Sequence, residues 1–384
     1  MNNIISYLKN YHFTMEEKPF NVVDSLILCQ FSYIKLNCIL GSFQNPYSET
    51  TFRELLRAED FNTMFKNIPA SASTKELLFA LSASPRFRYI KIKYHLDILN
   101  CACETQFSAT TFILNNKLAY IAYRGTDYSI AGWNEDFNMA FIYPVPAQKK
   151  GLSYLDTIAS KIPHTLFVGG HSKGGNIAVY SSMNCKSSLQ NRIRNVFSHD
   201  GPGFTFNNID ATKFKLIEGK LIKTLPQASL FGMLLESPEK YKVVKSYNIG
   251  GLHQHDPFSW EVKDCDFTYL NGISKIASTS NAKLNYWISK LDHNKRKVFI
   301  DTLFSVINST KCDNFVDLID NWAINIPIML DALNNIDEEI KDLIIDVLKE
   351  FGLVQINGIT PKQKFNIHKL KDSLYTLFHP KKPL

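Results

Sequence analysis

A serine flanked by glycines lies where a strand-type segment meets a helix-type segment. HTLFVGG reads as a β-strand and GGNIAVYSSM as a helix, and the turn between them is Gly170-His171-Ser172-Lys173-Gly174. This is the G-x-S-x-G pattern in the context of a nucleophile elbow, where a strained turn lifts the serine hydroxyl above the sheet. The pattern predicts Ser172 as a nucleophile. The alternative is a glycine-rich turn that only packs a helix on a strand.

A serine hydroxyl becomes a useful nucleophile when a histidine accepts its proton and an acid orients that histidine. On an α/β-hydrolase sheet the chain order is serine, acid, histidine. Asp200 ends NVFSHD, before the loop GPGF, and we predict it as the acid. Its structural alternative is an Asx-type turn or a helix cap. Asp256, beside Pro257, is the second candidate acid and could also be a cap.

The chain offers ten histidines for the role of base. His253 and His255 lie in GGLHQHDPFSW, after the strand-type segment YKVVKSYN. We predict His255 as the base and His253 as a buried or loop-stabilising residue. His293 is the third candidate, with an exposed position at a helix start as its alternative. His171 and His199 adjoin other candidates in sequence, and we expect their side chains to point away from them.

A second motif precedes the elbow and supplies a family resemblance. Tyr123-Arg124-Gly125-Thr126-Asp127, followed by Trp133 and Asp136, resembles the [FY]-R-G-T…W…D segment of class 3 (fungal-type) lipases, and GHSKGG resembles their G-H-S-L-G-G. The two segments span about residues 105–205. The whole chain, with PFNVVDSLIL near its start and QHDPFSW after the last strand, resembles a group of uncharacterised bacterial lipase-like proteins of the α/β-hydrolase superfamily.

This resemblance implies an oxyanion hole formed by Thr126 and the backbone of Lys173. Two features depart from the class 3 pattern. Lys173 replaces an apolar residue, which places a charge next to the nucleophile. Asp200 follows Ser172 by 28 residues, a short spacing that resembles the pancreatic-type arrangement, in which the acid follows the strand directly after the elbow.

The elements around these motifs predict the fold class α/β. ATTFILNN and KLAYIAYRG predict a hairpin, SYLDTIASKI a helix, and NVVDSLILCQFSYIKL a helix capped by Asn21. Strands alternating with helices indicate an α/β-hydrolase fold with a mostly parallel sheet. We predict a helical N-terminal segment packing on the core at residues 1–84, the core at 85–270 and a helical C-terminal cap or extension at 271–384, as in KRKVFIDTLFSVI and DEEIKDLIIDVLKEFG.

Composition excludes several other classes of function. The 384 residues carry a net charge of +7, but acidic and basic residues are well mixed, so we expect no nucleic-acid partner. Seven scattered cysteines indicate free thiols in a reducing compartment rather than a metal site, and we expect no cofactor. No apolar run reaches the length of a membrane span, and the start of the chain lacks the pattern of a signal peptide. We therefore expect a cytoplasmic location.

The leading hypothesis is a serine hydrolase that cleaves a carboxylic ester, such as a lipid, through an acyl-enzyme (lipase/esterase, EC 3.1.1). Apolar stretches at 137–146 and 228–236 could border the site; the second reads as a lid segment or as core. A lipid or other ester is the expected substrate, with transient contact to a membrane surface. The alternatives are a catalytically silent scaffold that binds a lipid or protein, and an acyltransferase using the same triad.

Overall fold

The structure is a computed structural model of the whole chain. It describes residues 1–344 apart from 42, 44, 46–47, 101–104, 128, 141, 206–208, 236–237, 276, 280–281, 283–284, 286–292, 313–316, 319–320, 334–335, 337, 339 and 342–343. The chain divides into two compact units, Met1–Lys290 and Leu291–Leu384. The predicted division at residues 84/85 and 270/271 stays a prediction.

Nine strands of the first unit form one sheet in the order β1-β2-β3-β4-β5-β6-β7-β8-β11. These nine strands are β1 Glu49–Thr51, β2 Lys91–Asn100, β3 Thr105–Ile113, β4 Leu118–Tyr123, β5 Thr165–His171, β6 Ile193–His199, β7 Leu221–Pro226, β8 Tyr241–Val244 and β11 Tyr269–Leu270. Two further strands, β9 Val262–Lys263 and β10 Asp266–Phe267, pair with each other in a separate antiparallel sheet. Strands β4 to β8 are parallel neighbours. Strands β1, β2 and β3 continue the sheet antiparallel on one side, and β11 does so on the other. The predicted mostly parallel α/β sheet is confirmed.

The helices of the first unit occupy both faces of this sheet. Those whose bounds the structure describes are α1 Ile4–Asn10, α2 Val22–Phe31, α3 Phe61–Met64, α4 Ser71–Ala83, α5 Ile130–Asn138, α6 Pro146–Lys161, α7 Lys173–Asn184, α8 Ser187–Gln190, α9 Ala211–Glu218 and α10 Gly251–Gln254. Since β4 to β7 follow one another in space as in sequence, right-handed crossovers place α6, α7 and α9 on one face. Their apolar side chains form one core with Ile121 and Val168. The N-terminal helices bury the other face over Phe112 and Tyr120.

The N-terminal helices are fixed by caps and by one buried ion pair. Asn21 caps α2, as predicted, and its side chain accepts hydrogen bonds from the N–H groups of Val23 and Asp24. Asp24 in turn pairs with Arg86 at 2.5 Å, and both side chains are fully buried. The same guanidinium donates to four backbone carbonyls within residues 13–19. This anchors the segment that joins α1 to α2.

The predicted hairpin is confirmed, whereas the N-terminal segment predicted as helical, residues 1–84, also contains a strand. Strands β3 and β4 pair antiparallel, and the Asn115 side chain closes their turn by accepting from the N–H groups of Lys117 and Leu118. Glu49–Thr51 is a strand instead of helix, because its backbone pairs with the edge of β2. Edge pairing of this kind depends on tertiary context, which local residue preference does not record.

The second unit is helical where it is described. It contains α11 His293–Asn308, which covers the predicted KRKVFIDTLFSVI, and α12 Trp322–Ala332. The helix predicted from DEEIKDLIIDVLKEFG lies largely outside the described residues. Within the part of the chain that is described, no helix combines the length and the apolar character needed to cross a membrane.

Candidate active site

Ser172 lies in a strained turn between β5 and α7. Its backbone has φ 59° and ψ −132°, a left-handed conformation that costs free energy in a non-glycine residue. A Cβ on Gly170 would lie 2.1 Å from the carbonyl carbon of Gly174, and one on Gly174 would lie 2.1 Å from the Tyr123 carbonyl oxygen. Glycine is therefore required on both sides of the serine, because helix α7 begins in direct backbone contact with two strands.

Asp200 and His255 form a direct hydrogen-bonded pair. Asp200 follows β6 with φ 50° and is fully buried. Its Oδ2 lies 2.6 Å from Nδ1 of His255. Its Oδ1 accepts from the Ser229 hydroxyl at 2.5 Å and from the Gly232 N–H at 3.1 Å. The acid is thus held by three groups, and the pairing at Nδ1 leaves Nε2 of the imidazole for proton transfer.

Ser172 is joined to this pair through neighbouring strand ends. Its N–H donates to the His199 carbonyl at 2.9 Å, and His199 directly precedes Asp200. His171, directly before the serine, has its ring centroid 4.5 Å from that of His255. Within the described residues the Ser172 hydroxyl makes no hydrogen bond. In unliganded enzymes the contact between nucleophile and base often tightens only with substrate.

The expectation that His171 points away from the other candidates is wrong. Its Nε2 lies 3.0 Å from the His255 carbonyl oxygen, and its Nδ1 lies 3.2 Å from the Tyr33 hydroxyl. Burial, with a smaller contribution from His255, lowers the pKa of His171 well below its usual value. A neutral ring that donates to the carbonyl from Nε2 accepts from Tyr33 at Nδ1. His171 therefore supports the loop that holds His255.

The alternative candidates occupy other positions. Asp256 caps the short 3₁₀ turn Pro257–Ser259 through a 3.1 Å bond from the Phe258 N–H, and burial raises its pKa. His253 is exposed on the one-turn helix α10, so its interpretation as a buried residue is wrong. The side chain of His293 is outside the described residues. Of the two histidines on this loop, His255 is the one paired with Asp200.

The predicted oxyanion residues lie beside two carboxylates of α5. The Lys173 side chain is fully buried, with Nζ 3.1 Å from Glu135 Oε2 and 3.5 Å from Asp136 Oδ1. The Thr126 hydroxyl donates to Asp136 Oδ2. Burial raises the pKa of Asp136 to about 6, although the Lys173 ammonium acts in the opposite direction. The positive charge of Lys173, next to the candidate nucleophile, is therefore balanced by the carboxylates of Glu135 and Asp136.

The Arg124 side chain organises the loop that contains Thr126. Its guanidinium makes two hydrogen bonds to Asp97, at 3.0 and 2.9 Å, and approaches Asp127 at 3.5 Å. Burial alone would raise the pKa of Asp127, but Arg124 and the bond from Ser129 bring it below the usual value. The R-G-T-D motif thus has a structural role in holding the loop after β4.

One of the two apolar stretches borders the pair. In the segment 228–236, the Phe231 ring lies 4.3 Å from the His255 ring, and Ser229 and Gly232 bind Asp200. For 137–146, the described contacts of Tyr143 are with the rings of Tyr180 and Phe204. A lid motion of either segment stays a prediction. Among the described residues no cluster of His, Cys, Asp or Glu could hold a metal ion.

Sequence reasoning missed four residues of this arrangement. Tyr33, Glu135, Ser229 and Gly232 hold the candidate residues in place but belong to no motif. A signal existed for Glu135, because a lysine at the buried start of α7 requires a buried counter-charge. The other three come from distant parts of the chain, and their contacts follow only from the fold.

A family model described as Mbeg1-like matches residues 81–305, more than half of the chain. No curated protein matches at a significant level. Solved structures with a similar fold include a Rhizomucor miehei lipase propeptide complex, with 16% identity over 41% of this chain and 57% of that one and a TM-score of 0.31. The chain thus spans little more than half the length of that lipase.

Two further structures are similar at the same distant level. One is the Lip2 lipase of Yarrowia lipolytica, with 11% identity, 61% of this chain and 82% of that chain covered, and a TM-score of 0.34. The other is a fungal lipase–inhibitor complex, with 14% identity, 71% and 92% covered, and a TM-score of 0.35. The fold assignment therefore rests on the sheet and the elbow. The matched residues cover more than half of the chain, so the chain belongs to the Mbeg1-like family, and its central sheet gives it an α/β fold.

Proposed function

We propose that this protein is a serine hydrolase that cleaves carboxylic esters through an acyl-enzyme. The observation that supports it most is the 2.6 Å bond between Asp200 Oδ2 and His255 Nδ1 next to a strained serine turn. A buried carboxylate on Nδ1 fixes the tautomer in which Nε2 can accept a proton. An arrangement with only a packing role would not need that pairing at a strand end.

In this proposal Ser172 Oγ attacks the ester carbonyl carbon while its proton passes to His255 Nε2. Asp200 stabilises the imidazolium that forms. The tetrahedral intermediate collapses as the carbon–oxygen bond to the alcohol breaks and His255 returns the proton to the leaving oxygen. Water then attacks the acyl-enzyme by the same steps in reverse, which releases the acid and restores the serine.

The oxyanion of both intermediates would be held by backbone N–H groups. Lys173 is the first residue of α7, and its N–H has no helical carbonyl to bind. The Thr126 hydroxyl is occupied by Asp136, so the N–H of Thr126 is the group left to face the oxyanion. Two preorganised donors of this kind stabilise developing negative charge more than they stabilise the bound ester.

We propose an apolar acyl chain, as in a lipid, because the apolar Phe231 ring lies 4.3 Å from the His255 ring. Contact with a membrane surface during turnover, the cytoplasmic location and the absence of a nucleic-acid partner remain parts of this proposal. An acyltransferase would use the same residues and differ in the acceptor that replaces water.

The test is hydrolysis of p-nitrophenyl esters from acetyl to palmitoyl by the full chain and by Ser172→Ala. Ser182→Ala is the matched control, since Ser182 is also buried on α7. We expect turnover that is lost in Ser172→Ala, retained in Ser182→Ala, and best with the longer acyl chains. Equal turnover by wild type and a folded Ser172→Ala would contradict the proposal. Turnover that requires an added alcohol would favour the acyltransferase.

A further inference from the structure

The Lys173 side chain is a buried cation one residue from the candidate nucleophile. Removing an ammonium from water costs several kcal/mol unless a partner compensates it. Glu135 Oε2 at 3.1 Å and Asp136 Oδ1 at 3.5 Å provide that compensation. Both carboxylates belong to α5, which follows the loop containing Thr126. The ion cluster therefore joins the elbow to the neighbouring loop and helix.

Glu135 makes this junction rigid. Its Oε2 also accepts the Gln106 N–H at 3.0 Å, and its Oε1 accepts the Ala147 N–H at 2.8 Å. One fully buried carboxylate thus connects β3, the start of α6 and the first residue of α7. A group held from three directions can move little, and the Lys173 ammonium is fixed with it.

Asp136 extends the connection to the oxyanion loop. Its Oδ2 accepts the Thr126 hydroxyl, and a Cβ on Gly132 would lie 2.9 Å from Thr126 Cγ2, so α5 packs closely on that residue. Burial raises the pKa of Asp136 to about 6 and Glu135 adds to this, while Lys173 and Thr126 lower it. Lys173 therefore favours the ionised carboxylate, which is the form that can only accept from Thr126.

We infer that Lys173 is a positioning residue for the oxyanion loop: through Asp136, its ammonium holds Thr126 against the nucleophile elbow. This inference rests on the proposed ester hydrolysis. Without the ammonium, the Thr126 N–H is no longer held where charge develops in the transition state. Because the ester in the ground state gains little from this donor, the loss falls on kcat and leaves KM nearly unchanged.

A double-mutant cycle tests the connection. Lys173→Met and Thr126→Val should each lower kcat about 10²-fold, as expected for a displaced oxyanion donor. If Lys173 acts through Thr126, the double variant should also lose only about 10²-fold, because the second change removes a connection already broken. Losses that multiply to about 10⁴-fold would overturn the inference.

Folding is controlled separately, because Lys173→Met leaves Glu135 buried without its cation. Lys173→Met/Glu135→Gln removes both charges and should regain part of the lost Tm without regaining kcat. Recovery of kcat together with Tm would assign Lys173 a stabilising role only and overturn the inference. Thr126→Val keeps the ion cluster, and unchanged kcat in that variant would also overturn it.

The same experiment separates this inference from the proposed function. A wild-type chain without Ser172-dependent ester hydrolysis would contradict the proposed function itself. An active wild type whose Lys173→Met variant keeps its kcat would contradict the positioning role alone.

Discussion

Two histidines beside Asp200, the buried His199 that precedes it and the half-buried His255 that pairs with it, have different bonding. His199 is bonded at both ring nitrogens, with Nδ1 2.8 Å from the Thr224 hydroxyl and Nε2 2.9 Å from the Ser25 hydroxyl. His255 is bonded at Nδ1 to Asp200, and within the described residues its Nε2 has no hydrogen bond. An imidazole that is hydrogen-bonded at both nitrogens can stabilise the fold, whereas an imidazole with one unbonded nitrogen can accept and donate a proton there.

The buried ion pairs show the same contrast. Arg86 pairs with Asp24 and donates to the carbonyls of an N-terminal segment, far in sequence from the elbow. Lys173 pairs with Glu135 and Asp136 directly beside Ser172. Burial and pairing alone therefore do not identify a functional group. The candidate site differs because its charged residues lie next to Ser172 and His255. Within the described residues, the Ser172 hydroxyl and the His255 Nε2 make no hydrogen bond.

The largest effect on activity is expected when the imidazole of His255, the ring with an unbonded Nε2 within the described residues, is removed. His255→Ala should fall to the activity of Ser172→Ala, a loss of about 10⁶-fold in kcat, because nucleophile and base act as one unit. His253→Ala, on the same loop but exposed, should keep most activity. Ester hydrolysis at matched folded concentration measures both. A dead His253→Ala beside an active His255→Ala would reverse the assignment of the base.

The acid should give the next largest effect. Asp200→Asn should lower kcat about 10⁴-fold, since a neutral amide cannot stabilise the imidazolium and can hold the wrong tautomer. Asp256→Asn changes only the cap of a 3₁₀ turn and should lose little activity. If Asp256→Asn were instead the crippling change, the acid would be misassigned.

The two ion pairs should separate stability from catalysis. Arg86→Met leaves Asp24 buried and unpaired, which should lower the free energy of unfolding by about 3–5 kcal/mol while kcat per folded molecule is kept. Lys173→Met should lower both quantities. Urea unfolding and kcat are measured on the same samples, so that the effect on stability and the effect on catalysis are compared directly. A loss of kcat in folded Arg86→Met would contradict the purely structural role of the Arg86–Asp24 pair.

The smallest expected effect is a pH dependence of stability. Burial lowers the pKa of His199 to about 3, against about 6.5 for a histidine in the unfolded chain. The folded state keeps His199 neutral, so the contribution of this residue to the free energy of unfolding is complete above about pH 6.5. It is lost as the pH falls below that value, by about 1.4 kcal/mol per pH unit. His199→Gln should reduce that slope, and exposed His253→Gln should not. Equal slopes in the three proteins, from urea unfolding between neutral and mildly acidic pH, would contradict this account.

Sequence reasoning succeeded where a local pattern determines a local structure. The elbow around Ser172, the hairpin β3–β4 and the cap at Asn21 each depend on residues a few positions apart, and all are present. Asp200 is predictable because strand ends in this topology meet at one edge. Chain order places His255 after Asp200, and the structure brings His255 Nδ1 to 2.6 Å from Asp200 Oδ2; the catalytic roles of both residues stay predictions.

The rest depends on contacts between distant segments. The interaction of His171 with the His255 loop, the bonds of Ser229 and Gly232 to Asp200, and the edge strand β1 arise only once the chain has folded. The positive φ of Asp200 likewise could not be predicted, because aspartate adopts such a conformation more often than most residues but still only rarely.

Fluorophosphonate labelling tests the central claim, that Ser172 is an activated nucleophile, most directly. The full chain should react with a fluorophosphonate probe, and peptide mass spectrometry should find the adduct on Ser172. Labelling should disappear in Ser172→Ala and fall steeply in His255→Ala, while Ser182→Ala labels like the wild type. A folded wild-type chain that stays unlabelled, or a Ser172→Ala variant that labels equally, would contradict the account.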